Sequence, residues 1–326
     1  MKILINGFGR IGRTILRQLL TTRTDTGIEV AGINDIAPLD LCAYLFAHDS
    51  VFGPFPGEVS GADGALRIGG RGIPFTQTRD LSTLDLRGVD LVLECTGVAR
   101  TSDIAARGLA AGAKAVLISG PSPAAEVTVV LGANDEALGR ARIVSNASCT
   151  TNALAPILRH LHDALGVVAA HMTTIHCYTS SQPMTDAPRG DFARSRAGAL
   201  SMVPTTTSAT DLVTEVIPEL AGRITGAAVR VPVASVSCID LTASVDRAVT
   251  TDALHEVLRD ADPALIGATD LPLVSSDLRA RPESLVLALP ECFATTAHQI
   301  RVFGWYDNEW GFSARMIDMA VRMGGR

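Results

Sequence analysis

A glycine-rich turn near the N-terminus limits the folds open to this chain more than any other feature. Gly7, Gly9 and Gly12 fit the pattern GxGxxG, between an apolar segment at 2–6 and a segment at 10–20 with apolar residues at helical spacing. In this context the first glycine permits a tight turn, the second lets the backbone approach a pyrophosphate, and the third lets helix and strand pack closely. The pattern therefore predicts the first strand and helix of a parallel, dinucleotide-binding sheet.

An acidic residue at the end of the next predicted strand indicates which dinucleotide binds. Asp35 follows the apolar run 27–34 and lies roughly 20 residues beyond the glycines, where a carboxylate bonds the ribose 2′-hydroxyl. The same carboxylate would repel a 2′-phosphate, so the sequence favours NAD over NADP. The alternative is a glycine-rich turn followed by an ordinary strand-end aspartate.

The two halves of the chain have different patterns. The first half alternates strand and helix, with apolar runs at 90–96, 115–119 and 143–145 that are each followed within three residues by Gly, Ser or Pro, as in βαβ units. The second half combines predicted helices with long strands, and the strand at 235–246 alternates apolar and polar residues. We therefore expect an α/β fold with two domains: a Rossmann-type, doubly wound parallel sheet over residues 1–148 and 313–326, and an α+β catalytic domain with a mostly antiparallel sheet over 149–312.

Composition and charge exclude several classes of function. The 28 basic residues are outnumbered by 34 acidic ones, which argues against a nucleic-acid partner. No apolar run reaches the roughly 18 residues of a membrane span, and the N-terminus does not resemble a secretory signal, so we expect no membrane and a cytoplasmic location. The six cysteines form no CxxC pair, so the sequence predicts neither a metal site nor disulfides.

One cysteine differs from the others in its setting. Cys149 lies between a predicted strand and a predicted helix, where the helix dipole and free N–H groups stabilise a thiolate. His176 ends a later strand and is the candidate base of a Cys–His ion pair, although spacing alone fits a structural histidine equally well. With NAD, a nucleophilic cysteine suggests aldehyde oxidation: a hemithioacetal forms, hydride leaves, and an acceptor cleaves the thioester.

Several motifs carry a resemblance to phosphorylating glyceraldehyde-3-phosphate dehydrogenases over nearly the whole chain. The motifs are INGFGRIGR (5–13), ND (34–35), HDSVFG (48–53), ECTG (94–97), SNASCTTN (145–152), MTTIHCYT (172–179), IPEL (217–220), RVPVASVSCIDL (230–241) and WYDNEWGFS (305–313). The resemblance implies that glyceraldehyde 3-phosphate is oxidised with NAD and inorganic phosphate by a homotetramer that needs no metal.

The resemblance also implies a role for each matching residue. Cys149 would be the nucleophile, and His176 its base and a donor to the oxyanion, alongside the backbone N–H of Cys149. Asn308 would hold the nicotinamide carboxamide. The other implied NAD residues are Gly7, Gly9, Arg10, Ile11, Gly12, Asp35, Arg79, Thr96 and Ser119. The substrate's phosphate would bind Thr179 and Arg230, and inorganic phosphate would bind Ser148, Thr150, Arg196 and Thr207, next to Ser208.

Two departures from the family pattern leave alternatives open. Ser208 and Asp211 stand where the family usually has glycine and lysine, and they would crowd and repel phosphate. The chain could then be a paralogue for another phosphorylated aldehyde, such as erythrose 4-phosphate, or an isozyme resistant to an inhibitor that attacks Cys149. Other classes are a semialdehyde dehydrogenase and a redox-sensing regulator. We expect glyceraldehyde 3-phosphate, because both phosphate sites keep their Arg and Thr.

Overall fold

The computed structural model describes residues 1–325, which form two compact units. The first unit contains Met1–Val129, Glu136–Ser148 and the segment from Phe312 onward, and the second contains Val130–Asp135 and Cys149–Gly311. The chain therefore passes into the second unit at the candidate nucleophile. No helix within residues 1–325 combines the length and the apolar character that a membrane crossing requires.

The first unit is built on a nine-stranded sheet. Its elements are β1 (Lys2–Asn6), α1 (Arg10–Thr21), β2 (Glu29–Asn34), α2 (Leu39–Ala47), β3 (Val59–Ala62), β4 (Ala65–Ile68), β5 (Arg71–Thr76), β6 (Leu91–Glu94), α3 (Ser102–Ala105), α4 (Arg107–Ala110), β7 (Ala115–Ile118), β8 (Val127–Thr128) and β9 (Ile143–Ser145). The strand order is β3-β4-β5-β2-β1-β6-β7-β9-β8. β1 pairs in parallel with β2 on one side and β6 on the other, so the strand order reverses at β1. Ligands of doubly wound sheets bind beyond the carboxyl ends of the strands at such a point.

The central strand and the glycine turn fit the fold for simple packing reasons. Ile3 and Ile5 are fully buried, as expected for a parallel strand covered on both faces. A Cβ on Gly12 would lie 2.1 Å from the carbonyl oxygen of Gly7, so α1 packs this closely on the turn only because residue 12 is glycine. The predicted parallel, doubly wound sheet is confirmed.

The second unit is built on an eight-stranded sheet. Its elements are α5 (Cys149–Leu165), β10 (Val167–Cys177), β11 (Val203–Thr205), α6 (Ala209–Val216), β12 (Ile224–Val231), β13 (Ser237–Val245), α7 (Thr251–Arg259), β14 (Ile266–Thr269), β15 (Leu285–Ala288), β16 (Phe293–Thr296) and β17 (Gln299–Tyr306). The order is β11-β12-β10-β13-β17-β15-β14, with β16 on β17. Only β10–β12 and β14–β15 pair in parallel among the strand pairs of residues 149–311, so the mostly antiparallel sheet is also confirmed. A last helix, α8 (Trp310–Gly324), returns the chain to the first unit.

Candidate active site

A pocket of about 350 Å³ lies at the carboxyl ends of β1, β2 and β6 in the first unit. Five of the residues predicted to bind NAD line it: Gly7, Gly9, Asp35, Arg79 and Thr96. Arg10, Ile11, Gly12, Ser119 and Asn308 are not among its lining residues. Arg10 instead pairs with Asp49, and the backbone N–H of Ser119 donates to the carbonyl of Glu94 at 2.9 Å.

The two glycines in the pocket fit a dinucleotide for different reasons. Gly7 has φ +93°, and a Cβ there would lie 2.7 Å from the carbonyl carbon of Cys95, so the turn requires glycine. A Cβ on Gly9 would meet no atom of residues 1–325 within 4 Å, so its backbone faces open space. Gly9 is also the N-cap of α1 and carries no capping side chain. A pyrophosphate can therefore approach the start of this helix, where the helix dipole favours negative charge.

The carboxylate of Asp35 is held in place at the edge of this pocket. One oxygen accepts a hydrogen bond from the backbone N–H of Phe8 at 2.5 Å, and the other accepts from the N–H of Ala37 at 2.8 Å. A carboxylate fixed in this way is a preorganised acceptor for a ribose hydroxyl. The acceptor at this edge of the pocket therefore fits the ribose of NAD.

A buried amide and carboxylate network under the pocket was missed by the sequence analysis. Asn34 Nδ2 donates to Asn6 Oδ1 at 2.8 Å, and Asn6 Nδ2 donates to Glu94. Glu94 in turn accepts hydrogen bonds from the backbone N–H and the hydroxyl of Thr96. The network fixes the position of Thr96. Its signal in the sequence was one polar residue at the end of each of three apolar strands.

The candidate nucleophile is the first residue of α5. Cys149 follows a turn in which Ala147, a fully buried non-glycine residue, has φ +53°. Such a conformation is uncommon outside glycine, and it is often found at functional sites. The Sγ of Cys149 lies 3.6 Å from Nε2 of His176. Burial raises the pKa of the Cys149 thiol, while the positive charge of Arg230 and the backbone N–H of Thr150 act in the opposite direction.

The β10–β12 register places Arg230 directly beside His176. Nδ1 of His176 lies 2.7 Å from the carbonyl oxygen of Cys177 and 2.6 Å from Nη1 of Arg230. Burial, and then the charge of Arg230, lower the pKa of His176 to about 4. The imidazole is therefore neutral near pH 7. Since both pKa shifts favour the uncharged forms, these surroundings favour a thiol and a neutral imidazole over the ion pair expected from the sequence.

A chain of hydroxyl groups lies next to the nucleophile. The Thr174 hydroxyl donates to the carbonyl of Cys238 at 3.0 Å, and its oxygen lies 2.8 Å from the buried Tyr306 hydroxyl. The Tyr306 hydroxyl also lies 2.9 Å from the hydroxyl of Thr150. Because the Thr174 proton is already used, Tyr306 donates to Thr174 and accepts from Thr150. Sequence reasoning missed Tyr306, since an aromatic residue on a sheet strand usually signals only core packing.

The remaining predicted phosphate residues are spread over several elements. Thr179 follows β10 and shares a hydrogen bond with Ser181, and Thr207 accepts from the backbone N–H of Ala209 at the start of α6. Ser208 is the exposed N-cap of that helix, and Ser148 ends the first unit.

The structure separates two neighbouring arginines. Arg196 forms an exposed ion pair with Asp186, with 2.8 Å between Nε and the carboxylate. Arg194 instead donates to the backbone carbonyl of Thr206 at 3.2 Å. Arg194, which sequence reasoning passed over, is thus the arginine beside the threonine run that contains Thr207. Two arginines so close together on an irregular loop give no periodic signal that tells them apart.

Asn308 follows β17 and is held by residues of two other strands. Its Oδ1 accepts from Cys177 Sγ at 3.1 Å and from Ser237 Oγ at 3.4 Å. The preceding residue, Asp307, accepts hydrogen bonds from the backbone of Trp310 and Ala280, which fixes the segment. Asn308 is buried, with an exposed fraction of 7%.

Comparisons with known proteins cover both units. The family model described as the NAD binding domain of glyceraldehyde 3-phosphate dehydrogenase matches residues 1–102, and the model of the C-terminal domain matches 148–308. A glyceraldehyde-3-phosphate dehydrogenase of Xanthobacter flavus is 46% identical, over 99% of this chain and 98% of its own. Those of Pseudomonas aeruginosa and Cereibacter sphaeroides are 45% and 43% identical, with the same coverage.

Proposed function

Because the chain belongs to the glyceraldehyde-3-phosphate dehydrogenase family, we propose that it oxidises glyceraldehyde 3-phosphate through a thioester on Cys149, with NAD as oxidant and inorganic phosphate as acceptor. The observation that carries this proposal is the 3.6 Å contact between Cys149 Sγ and His176 Nε2, at the start of a helix and beside Arg230. Relatives of this name match over 99% of the chain, so they do not favour a paralogue for another aldehyde.

The first chemical step is addition of Cys149 to the aldehyde. The neutral imidazole of His176 accepts the thiol proton at Nε2, and the thiolate forms a bond to the aldehyde carbon. The protonated imidazole then donates that proton to the new oxyanion, which gives a hemithioacetal. His176 fits this exchange because its lowered pKa keeps Nε2 available as an acceptor.

The second step converts the hemithioacetal into a thioester. NAD, when bound, supplies the hydride acceptor for this oxidation. His176 takes the hydroxyl proton as the carbonyl re-forms. An oxygen of inorganic phosphate then attacks the thioester carbon, and the Cys149 thiolate leaves and takes back a proton from His176. This step releases 1,3-bisphosphoglycerate and restores the thiol and the neutral imidazole.

We assign NAD to the pocket of the first unit. The pyrophosphate would lie against Gly9 and the N-terminus of α1, which begins with Arg10 and Ile11, and the adenosine ribose would bond Asp35. Thr96, Arg79 and Ser119 complete the set expected from the family, and Asn308 would hold the carboxamide. On this assignment residues 1–148 and 313–326 form the NAD-binding domain and residues 149–312 the catalytic domain.

The two phosphate sites follow from the arginines. Arg230, next to His176, would bind the substrate's phosphate with Thr179. Inorganic phosphate would bind Ser148, Thr150 and Thr207, next to Ser208. For the arginine of this second site we propose Arg194 in place of Arg196, because Arg194 contacts Thr206 while Arg196 is paired with Asp186.

NADH formation by the purified chain tests the proposal. We expect turnover of glyceraldehyde 3-phosphate that requires phosphate and disappears in Cys149→Ala. Faster turnover of erythrose 4-phosphate, or turnover that is independent of phosphate, would overturn the assigned substrate or acceptor. Turnover that persists in Cys149→Ala would overturn the covalent mechanism.

Association with further copies of the chain is also proposed. Four large apolar side chains on the segment 180–202 are strongly exposed: Phe192 (100%), Met184 (88%), Leu200 (82%) and Met202 (74%). A concentration of apolar surface on one loop is typical of an interface. We propose that it is covered by other copies in a homotetramer, and that Phe192→Ser weakens this association in analytical ultracentrifugation.

All six cysteines are unpaired, which supports a cytoplasmic location.

A further inference from the structure

We infer that Cys177 is a positioning residue: its thiol holds the Asn308 amide so that Nδ2 donates to the carbonyl oxygen of the nicotinamide carboxamide. The inference rests on the proposed function, because it takes Asn308 as the residue that binds this group. It assigns a role to a cysteine that the mechanism does not use, and it specifies which end of the cofactor's amide is recognised.

The hydrogen bonds at Asn308 set the orientation of its side chain. Oδ1 accepts from Cys177 Sγ at 3.1 Å and from Ser237 Oγ at 3.4 Å. The Ser237 oxygen also accepts from the backbone N–H of Cys177 at 3.1 Å, so its own proton is available for Asn308. Both lone pairs of Oδ1 are thereby used. The two N–H donors of Nδ2 are left for a group on the other side of the amide.

The reversed amide orientation is disfavoured by the same neighbours. Cys177 is 1% exposed and Ser237 is fully buried, so water does not replace a lost bond. Burial raises the pKa of the Cys177 thiol to about 12, so it keeps its proton across the working range. A reversed Asn308 would point its N–H groups at a sulfur that is only a weak acceptor, and it would leave the thiol and the serine hydroxyl without their acceptor.

The sheet explains why these residues meet. His176 and Cys177 are consecutive at the end of β10, and consecutive side chains of a strand point to opposite faces. His176 is directed to Cys149, whereas Cys177 is directed to Asn308. Ser237 begins β13 and pairs with Tyr306, two residues before Asn308. One strand end thus positions both the base and the carboxamide-binding residue.

Equilibrium binding gives a readout that does not depend on turnover. The ligands are NAD, 3-acetylpyridine adenine dinucleotide, which keeps the ring carbonyl but lacks the amide nitrogen, and ADP-ribose, which lacks the nicotinamide. Calorimetry on Cys177→Ala should show about fivefold weaker binding of NAD and of the analogue, as expected for one lost hydrogen bond, with ADP-ribose unchanged. Cys177→Ser keeps a donor and should restore the affinity. The native chain should bind the analogue nearly as well as NAD.

A matched control and a second variant separate the possible failures. Cys292→Ala removes another buried thiol of the same unit, one that donates to the backbone carbonyl of Ala288, and it should change none of the three affinities. The inference would be overturned if Cys177→Ala binds NAD as tightly as the native chain, or if it weakens ADP-ribose binding as much as NAD binding. It would also be overturned if the native chain binds the analogue much more weakly than NAD. If Asn308→Ala leaves the ratio of NAD to ADP-ribose affinity unchanged, the proposed role of Asn308 itself is wrong.

Discussion

Arg230 Nη1 lies 2.6 Å from Nδ1 of His176, the ring whose other nitrogen faces the candidate nucleophile. The guanidinium lowers the pKa of both partners, because a positive charge favours the Cys149 thiolate and disfavours the protonated imidazole. The Nδ1 atom has two neighbours with opposite demands: the Cys177 carbonyl requires a proton on it, whereas Arg230 requires a lone pair. An anion bound by Arg230 would relieve this competition and favour the tautomer in which Nε2 accepts the thiol proton.

Arg230→Ala tests the double role of this arginine. Loss of its charge should raise the pKa of Cys149, so the pH profile of alkylation by iodoacetamide should move to higher pH. Loss of the phosphate contact should raise KM for the aldehyde about tenfold or more, as expected for a charged hydrogen bond. Arg247→Ala is the control, since Arg247 is exposed and its guanidinium donates to the backbone carbonyls of Asp163 and Ala164 at the end of α5. An unchanged alkylation profile would contradict the electrostatic role.

The lowered pKa of His176 predicts a pH dependence of stability. The ordinary pKa of 6.5 falls to about 4 in the folded chain, so between these values the unfolded chain binds more protons. Stability should therefore fall as the pH drops through this window, by up to about 3 kcal/mol from this residue. Urea unfolding of the native chain and of His176→Gln checks this. The variant should lose less stability from pH 6.5 to 4, and parallel curves would show that another group is responsible.

The chain of hydroxyl groups at Thr150, Tyr306 and Thr174 predicts that Tyr306→Phe lowers the stability of the fold. The change removes the acceptor of the Thr150 hydroxyl and the donor to Thr174 inside a buried site. We expect about 1–3 kcal/mol less stability in urea unfolding. KM for phosphate should also change, because the Thr150 proton is released from Tyr306. Thr174→Ser retains a hydroxyl and should resemble the native chain in both measurements; a Tyr306→Phe variant of native stability would argue against the chain of hydrogen bonds.

Arg194 and Arg196 form a matched pair for testing the phosphate site. Both are on the same loop, but only Arg194 contacts the threonine run, through Thr206. Arg194→Ala should raise KM for phosphate about tenfold with little change for the aldehyde. Arg196→Ala should have a small effect, since it removes only an exposed ion pair. The opposite ranking would restore Arg196 as the ligand.

Asp211 tests how a negative charge near the proposed phosphate site affects the binding of phosphate. It lies exposed in the first turn of α6, close in sequence to Thr207. Asp211→Lys should lower KM for phosphate a few-fold at low salt, and the gain should shrink as salt is added. Glu215→Lys makes the same charge change one turn further along the helix and should do less. Equal effects of the two variants would show that only the net charge matters.

The sequence predicted those parts of the molecule that short-range rules determine. The Gly7–Gly12 turn is largely local, because Gly7 has a positive φ and a Cβ on Gly12 would meet the carbonyl oxygen of Gly7. The position of Cys149 follows from the boundary between β9 and α5. The antiparallel strands β3 and β4 were not predicted, since they are short and have few buried residues.

Long-range contacts account for what sequence reasoning missed in the site. Tyr306 meets Thr150 across 156 positions, and Cys177 meets Asn308 across 131, both through the order of strands in the sheet. The thiol form of Cys149 depends on burial, and the neutral form of His176 depends on burial and on the strand register that places Arg230 beside it. No motif encodes that burial or that register.

The central claim is that Cys149 carries the acyl group, and intact-protein mass spectrometry tests it most directly. The chain is mixed with glyceraldehyde 3-phosphate and NAD without phosphate, quenched in acid and weighed, then compared with a sample to which phosphate is added before the quench. We predict a mass gain of one 3-phosphoglyceroyl group on the Cys149 peptide. This adduct should be lost on addition of phosphate and absent from Cys149→Ala. NADH formed without any such adduct, or an adduct on another cysteine, would contradict it.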